Sequence, residues 1–198
     1  MWRAFLRLKG GKTMKMSDRI RKVKPAAQQS LSFSSPNRTT SKFVSIYRVS
    51  LVKDGTVSFG EERLSCSQQA QYLIQNLILK RGQPDREQFV VAMLNSKNNV
   101  IGLNIVSIGG LSSAPVYVRE VLKPAIIANS AAIILCHNHP SNDLQPSPDD
   151  INVTRRIIQA AEIIGIRVHE HIIINMEDDR YFSFADNGII QQLYSEIK

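Results

Sequence analysis

The residue types best suited to chemistry lie in one segment of fourteen residues, from His137 to Asp150, with the sequence HNHPSNDLQPSPDD. The apolar run AAIILC at 131–136 precedes this segment and predicts a buried strand. Because alternate residues of a strand share a face, the imidazoles of His137 and His139 are expected to point the same way. Two convergent imidazoles favour the binding of a divalent metal ion.

A helix is predicted to begin at the end of this segment. Ser147 is a good N-cap residue, and Pro148 suits the first helical position. Asp150 then falls at the third helical position, so its carboxylate is able to face back toward the histidines as a third ligand. Zinc held by three protein ligands keeps a fourth position for water and lowers the pKa of that water to about 7. The spacing therefore predicts a hydrolytic metal site.

Metal-assisted hydrolysis also needs a general base and a donor for the oxyanion that forms on an attacked carbonyl. Ser147 is placed to be the donor. The base is expected to be a carboxylate that enters the site from another strand. Glu87 is the best candidate, since it stands just before the apolar run at 89–94 and after the turn-like sequence GQPD at 82–85.

The pattern His-x-His, seven residues, Ser, two residues, Asp, with an upstream Glu, resembles the JAMM metalloprotease motif of MPN domains. The surrounding sequences at 86–101, 106–157 and 170–175 resemble the bacterial RadC branch, and the likeness covers roughly residues 43–198. The resemblance implies a three-layer α/β/α sandwich with a mixed central sheet. It also implies a role for each site residue: Glu87 as general base, Ser147 as oxyanion donor, and His137, His139 and Asp150 as zinc ligands.

The chain departs from its RadC relatives at two positions. Glu170 stands where they usually have Asp, and Asn142 stands where they usually have Gly in the turn after the histidines. Asn tolerates a positive φ better than most residues, so the turn is expected to survive. His169 and His171 share a face of a predicted strand, which leaves two interpretations: a second metal pair or, as we favour, a polar core residue beside an ordinary neighbour.

Simpler interpretations exist for each site residue. Ser147 caps a helix whatever the function, and Asp150 in a first helical turn stabilises the helix dipole by ~0.3 to 1 kcal/mol. Asp85 and Glu87 are both explained as solvated turn carboxylates. None of these interpretations explains the residues as a set.

Two other metal chemistries fail on the sequence. A nucleobase deaminase needs His-x-Glu followed by Pro-Cys-x-x-Cys, whereas the two cysteines, Cys66 and Cys136, lie far apart. A gluzincin needs His-Glu-x-x-His on a helix, and His169-Glu170-His171 has the wrong spacing within a strand-like run.

Composition favours one domain in a reducing compartment. The chain has 198 residues, 43% of them hydrophobic, which is enough for one sizeable core. No continuous apolar stretch is long enough to span a membrane, and the first residues lack the apolar core of a secretory signal. Two isolated cysteines make no disulfide framework, and Cys136 is expected to face away from the ligands. A cytoplasmic location is the default expectation.

Basic charge is concentrated at the start of the chain. Residues 1–42 hold eleven Lys or Arg and one Asp, whereas residues 43–198 hold fourteen Lys or Arg and sixteen Asp or Glu. The 1–42 tail is polar and without sustained periodicity, which is typical of disorder. Its charges could bind nucleic acid weakly and non-specifically through phosphates, but a solvated leader is the favoured interpretation. Nothing in it resembles the helix-hairpin-helix module that many RadC relatives carry.

Residues 43–198 show the alternation expected of a domain of helices and strands. The patterns predict a hairpin over 43–59 that turns at Asp54-Gly55 and a helix from Ser65 or Ser67 to about Gly82. The other predicted elements are strands at 88–95, 100–108, 131–136, 167–175 and 181–185, and helices at 118–130, 148–164 and 188–198.

Two classes of function fit these features. The first is a zinc metallopeptidase that hydrolyses a peptide or isopeptide bond in a peptide or protein substrate. The second is an accessory protein of the DNA-repair or mobile-element type that binds nucleic acid through the basic tail. The complete set of base, ligands and oxyanion donor favours the enzyme.

Overall fold

The computed structural model describes residues 44–60, 63–109 and 116–197. Contacts divide the chain between Ile46 and Tyr47, and every element named below belongs to the second unit. The tail predicted at 1–42 lies outside the described residues, as does Phe43.

In the part of the chain that the structure describes, five strands form one mixed sheet. They are β1 (Gln88–Leu94), β2 (Val100–Ile108), β3 (Ala132–Asn138), β4 (Arg167–Ile174) and β5 (Tyr181–Ser183), in the order β2-β1-β3-β4-β5. Strands β3 and β4 run parallel, and the other neighbours are antiparallel. The motif strand β3 therefore lies at the centre of the sheet.

Within the described residues, four helices cover the two faces of the sheet. They are α1 (Ser67–Arg81), α2 (Val118–Ile127), α3 (Pro148–Ile163) and α4 (Ile189–Ile197). Helices α2, α3 and α4 contribute to the apolar core on one face, and α1 contributes to a separate core on the other. The predicted three-layer α/β/α sandwich with a mixed sheet is thus confirmed. No helix within the described residues is both long and apolar enough to cross a membrane.

Strand β3 is buried along its whole length, which explains its continuous apolar sequence. Ile133 and Leu135 face the core that contains α3, whereas Ile134 and Cys136 face the core that contains α1. The prediction that Cys136 points away from the histidine ligands is confirmed, because the next residue, His137, lies on the opposite face.

The predicted helices and strands after residue 64 are present with boundaries shifted by at most a few residues. Helix α3 is followed by Gly165 with φ 74°, a left-handed conformation that suits glycine. Asn142 has φ 57°, so the turn after the histidines keeps the backbone shape for which relatives use glycine.

The predicted hairpin over 43–59 is wrong, since residues 44–60 form no strand. Period-two alternation produces a strand only where a neighbouring backbone supplies ladder hydrogen bonds. Here the Arg81 guanidinium instead donates to the Asp54 carbonyl and lies so close to Gly55 that a side chain there would overlap it. Val57 and Phe59 pack, partly buried, against the core on the α1 side. Asp54-Gly55 therefore accommodates an arginine rather than a hairpin turn.

Helix α1 begins at Ser67, one of the two predicted starting residues. Its N-cap is Cys66, which makes no side-chain cap, and the Ser67 hydroxyl donates to the buried Glu170 carboxylate at 2.7 Å. Glu170 also accepts hydrogen bonds from the Ser183 hydroxyl and from the backbone N–H groups of His171 and Ala185. One buried carboxylate thus joins α1, β4 and β5, and all of its hydrogen bonds come from uncharged donors.

We expect Glu170→Ala to lower the free energy of unfolding by about 3 kcal/mol or more, because it leaves four donors without their shared acceptor. Urea denaturation monitored by circular dichroism measures the change. The control is Glu177, an exposed residue after β4, and Glu177→Ala should change the free energy of unfolding by less than about 0.5 kcal/mol. Equal stability of the two variants would contradict the role of Glu170.

Candidate metal centre

The two histidines of the motif converge, as the strand pattern predicts. His137 is the buried penultimate residue of β3 and stacks on Phe89 of β1, with the rings 9° from parallel. His139 follows the strand and is partly exposed. Their Nε2 atoms lie 3.0 Å apart, so both rings present the same nitrogen to one point.

Asp150 completes the group from the first turn of α3. Its Oδ1 lies 3.2 Å from His137 Nε2, and its Oδ2 lies 3.7 Å from His139 Nε2. Ser147 and Asp150 form a capping box, so the predicted N-cap and the third helical position are both confirmed. One potential ligand atom from each of His137, His139 and Asp150 lies within 4.8 Å of the other two. Among the described residues, this is the group of side chains that could hold a metal ion.

The hydrogen bond made by the other ring nitrogen determines the tautomer of His139. His139 Nδ1 lies 2.6 Å from the backbone carbonyl oxygen of Asp143. A carbonyl oxygen only accepts hydrogen bonds, so Nδ1 must carry the proton. In the neutral ring, Nε2 therefore offers a lone pair toward His137 and Asp150.

A chain of three side chains determines the tautomer of His137. The Thr154 hydroxyl of α3 donates its one proton to the Asp150 carbonyl, so it must accept from His171 Nδ1, which lies 2.6 Å away. His171 Nε2 then has a lone pair and accepts from His137 Nδ1 at 2.8 Å. Burial lowers the pKa of His171, consistent with this neutral ring. Consequently, His137 Nε2 also offers a lone pair to the site.

Two lone pairs that face each other at 3.0 Å repel unless a proton or a cation lies between them. In the metal-free chain the proton is favoured, because hydrogen bonding to Asp150 raises the pKa of His139 despite the partial burial of its ring. Burial disfavours ionised Asp150, but the neighbouring His137 and His139 rings outweigh this effect and hold the pKa of the carboxyl below its usual range. Two imidazole nitrogens and a carboxylate oxygen fit a divalent metal ion, and this combination is common for zinc.

Glu87 lies next to the site through strand register. The pairing of β1 with β3 ends at Phe89 opposite His137, and Glu87 stands two residues before Phe89, at the sheet edge where His139 follows β3. The negative charge of Glu87 contributes to the raised pKa of His139. The structure therefore places the predicted base at the same edge of the sheet as the predicted ligands.

Ser147 directs its side chain toward Asp150. Its Oγ accepts from the Asp150 backbone N–H at 3.1 Å and lies 2.6 Å from Asp150 Oδ2, to which it donates. The Ser147 backbone N–H donates to the same Oδ2 at 2.7 Å. The cap and the ligand are thus hydrogen-bonded to each other, and the hydroxyl proton must leave Asp150 before it can bond to a substrate oxygen.

Two residues, Thr154 and His171, support the ligands. The sequence does not predict the role of Thr154, and it predicts His171 only as a polar core residue. The hypothesis of a second metal pair, His169 with His171, is wrong. Ile133 and Ile134 of β3 pair with Val168 and Glu170, so His169 is an extra residue in β4. His169 is exposed and bonds to Asn98, whereas His171 points at His137. The alternating histidines do not reveal the bulge. The sequence indicates only that His171 is a polar residue of the core.

Comparison with known proteins agrees with this geometry. A "UPF0758 protein" of Desulfitobacterium hafniense is 50% identical over 106 residues, which cover 54% of this chain and 46% of that protein. A "UPF0758 protein" of Rubrobacter xylanophilus is 48% identical over 106 residues, covering 54% and 45% respectively. One of Clostridioides difficile is 50% identical over 105 residues, covering 53% and 44%. The chain spans about half the length of the curated relatives that it matches.

The family model described as the "RadC-like JAB domain" matches residues 64–189. This match covers more than half of the chain and contains all five strands, the three candidate ligands, Glu87 and Ser147. The resemblance to the RadC branch of the JAMM or MPN domains is confirmed, and the chain belongs to the RadC family.

Proposed function

We propose that this protein is a zinc-dependent hydrolase that cleaves a peptide or isopeptide bond. The observation that carries the proposal is the convergence of two imidazole lone pairs and one carboxylate at a single point. A carboxylate outside the ligand set, Glu87, stands two residues before Phe89, which pairs with His137. A site that only held a structural metal would have no need of this additional acid.

The ligands would be His137 Nε2, His139 Nε2 and a carboxylate oxygen of Asp150. Zinc bound to three such ligands acidifies a water molecule and polarises a substrate carbonyl. The bonds from His171 and Asp143 orient the two imidazoles, and the bonds from Ser147 hold Asp150. Such supporting bonds typically contribute 10- to 100-fold, as order-of-magnitude values, to metal affinity.

Glu87 would act as the general base and then as the general acid. Its carboxylate takes a proton from the attacking water and returns it to the nitrogen of the leaving amine. Both transfers are assigned to a carboxylate that is not a metal ligand, since coordination to a cation makes a carboxylate a weaker base. Glu87 meets this requirement because it enters from β1, whereas the ligands come from β3 and α3.

Ser147 would donate its hydroxyl proton to the oxyanion that forms on the attacked carbonyl. Its Oγ has one proton, which is directed to Asp150 Oδ2 in the structure. Substrate binding would therefore have to draw this proton away while the oxygen continues to cap α3. The backbone N–H of Ser147 keeps Asp150 Oδ2 bonded during this exchange.

We place this activity in the cytoplasm. Within the described residues, Cys66 is exposed and Cys136 is buried, and both are free thiols. Free thiols of this kind are typical of reducing compartments. Burial also raises the pKa of Cys136, which keeps its thiol protonated and poorly reactive.

A second candidate function, binding of nucleic acid, rests on the segregation of charge. Residues 1–42 contain eleven Lys or Arg and one Asp, whereas acidic residues outnumber basic ones in the rest of the chain. Such a tail neutralises phosphates without reading a sequence, and its affinity falls steeply with salt.

Removal of the tail separates the two functions. A fragment that begins near Ser41 should keep its hydrolytic turnover and lose affinity for a labelled duplex DNA in fluorescence anisotropy at low salt. Full-length protein measured at several salt concentrations is the control. Loss of hydrolysis with the tail, or DNA binding that survives its removal, would contradict this division of roles.

We expect the protein to bind about one zinc ion per chain and His139→Ala to abolish this binding, because the variant removes one of three ligands. Atomic absorption of protein that has been stripped with chelator, reloaded and desalted measures the stoichiometry. His169→Ala is the matched control, since His169 lies on β4 and bonds to Asn98. Full zinc content in His139→Ala would show that the ligand assignment is wrong.

Glu87→Gln should retain zinc and lower kcat by ~10² or more, the scale of lost general acid–base catalysis. Gln has the shape of Glu but cannot take up the proton of the attacking water. A peptide library that includes lysine-linked isopeptides supplies the substrates. Asp85→Asn, in the exposed turn before Glu87, is the control and should be as active as the wild type. Wild-type turnover in Glu87→Gln would mean that another residue is the base.

Ser147→Ala removes both the cap and the hydroxyl donor. The lost cap should lower the free energy of unfolding by ~1 kcal/mol, and the lost oxyanion donor should lower kcat at saturating zinc by ~10² to 10³. Ser147→Thr keeps the hydroxyl and should restore both. Ser141→Ala is the control, because Ser141 only accepts from the Asp143 backbone in an exposed turn. If stability falls while kcat is unchanged, Ser147 is a cap alone.

A further inference from the structure

Asn138 lies between the two histidine ligands and is completely buried. His137 and His139 point to one side of the strand end, so the intervening side chain points elsewhere. Asn138 Oδ1 accepts from the Gln88 backbone N–H at 3.0 Å, and Asn138 Nδ2 donates to the Arg86 carbonyl at 2.9 Å. Both partners are backbone groups of the chain just before β1.

The residue between these two partners is Glu87. Backbone pairing of β1 with β3 ends at Phe89 opposite His137, and the Asn138 amide supplies the next two hydrogen bonds in its place. On the opposite side, the Glu87 carbonyl accepts from the Gly109 N–H, beyond the end of β2, at 2.7 Å. The backbone that carries Glu87 is therefore held on both sides at the point where the sheet ends.

We propose that Asn138 is a positioning residue that fixes the Glu87 carboxylate relative to the metal ligands. This inference rests on the proposed function, in which Glu87 exchanges protons with a water bound at His137, His139 and Asp150. A general base must lie within ~2.6 to 3.2 Å of its proton donor, and a displacement of about 1 Å costs roughly 10²-fold in rate. A single residue between two ligands sets this separation, so any movement of β3 carries ligands and base together.

The amide side chain suits this task because it combines a donor and an acceptor on a short stem. Asp at this position would keep an acceptor for Gln88 N–H but would set a carboxylate against the Arg86 carbonyl. A serine or alanine would leave Gln88 N–H without its partner inside the protein. An ordinary structural asparagine is the competing interpretation, and the chain contains one for comparison.

Asn175 is that matched control. It is as completely buried as Asn138 and follows β4, the strand next to β3. Its Oδ1 accepts from the Glu177 backbone N–H at 2.7 Å, within its own turn. A substitution of Asn175 thus removes an equally buried amide, of which the oxygen alone is hydrogen-bonded, without releasing the segment before β1.

Zinc-loaded full-length variants test the proposal with substrates that the wild type cleaves. Asn138→Asp and Asn138→Ala should lower kcat by about 10- to 100-fold, with KM and zinc content unchanged, and should cause no further loss in the Glu87→Gln background. Asn175→Ala should lower the melting temperature but leave kcat unchanged. A loss of kcat in Asn138→Ala that adds in full to that of Glu87→Gln would overturn the proposal, as would an unchanged kcat.

Hydrogen–deuterium exchange provides a measurement that needs no substrate. The Gln88 amide should exchange faster in Asn138→Ala than in the wild type, relative to the Val90 amide within β1, and Asn175→Ala should leave this ratio unchanged. Unchanged protection of the Gln88 backbone N–H would overturn the proposed role of Asn138 even if cleavage is observed. Absence of cleavage by the wild type would instead count against the proposed function. If Asn138→Ala does not fold, Asn138→Asp carries the kcat measurement, and Asn138→Ser, which also removes the acceptor for the Gln88 N–H, carries the exchange measurement.

Discussion

The site depends on the electrostatic repulsion among three groups whose lone pairs face one point. They are His137 Nε2, His139 Nε2 and the Asp150 carboxylate. Two ring nitrogens 3.0 Å apart, with the Asp150 carboxylate beside them, are stable only around a positive charge. Asp150 belongs to the first turn of α3, whose N-terminus carries a partial positive charge of its own. A cation there would be disfavoured by the helix, and the Asp150 carboxylate compensates for this because it both caps the helix and faces the histidines. The N-cap Ser147 and the proposed ligand Asp150 are therefore joined in one capping box.

The strands and helices around β3 determine how the side chains of the site are oriented. His171 of β4 and Thr154 of α3 fix which nitrogen of His137 is free, so the parallel neighbour of β3 and the helix that follows it act on the same ring. On the other side of β3, the antiparallel neighbour β1 delivers Glu87 and the ring of Phe89. Because β3 is central, the bonds that orient the proposed ligand His137 and the proposed base Glu87 reach the motif from opposite sides.

Local patterns in the sequence predict the fold well where each element has its own apolar face. The strands and the helices after residue 64 follow from periodicity, and the sandwich follows from the family resemblance. The hairpin over 43–59 fails because its alternating residues find no partner strand in the described structure. Alternation specifies which face a strand would bury but not whether a neighbour exists. Arg81, 26 positions further along the chain than Gly55, occupies the space beside Gly55, and no local pattern contains this contact.

The site divides in the same way between local and distant information. His137, His139, Ser147 and Asp150 lie in one segment, so strand and helix geometry relate them directly. Glu87 comes from a separate strand, and the family resemblance rather than spacing pointed to it. The role of His171 depends on the bulge at His169, which reverses the side-chain parity of β4 after Val168. Asn138 has the least visible role, because its partners are backbone atoms, and backbone atoms leave no trace in residue type.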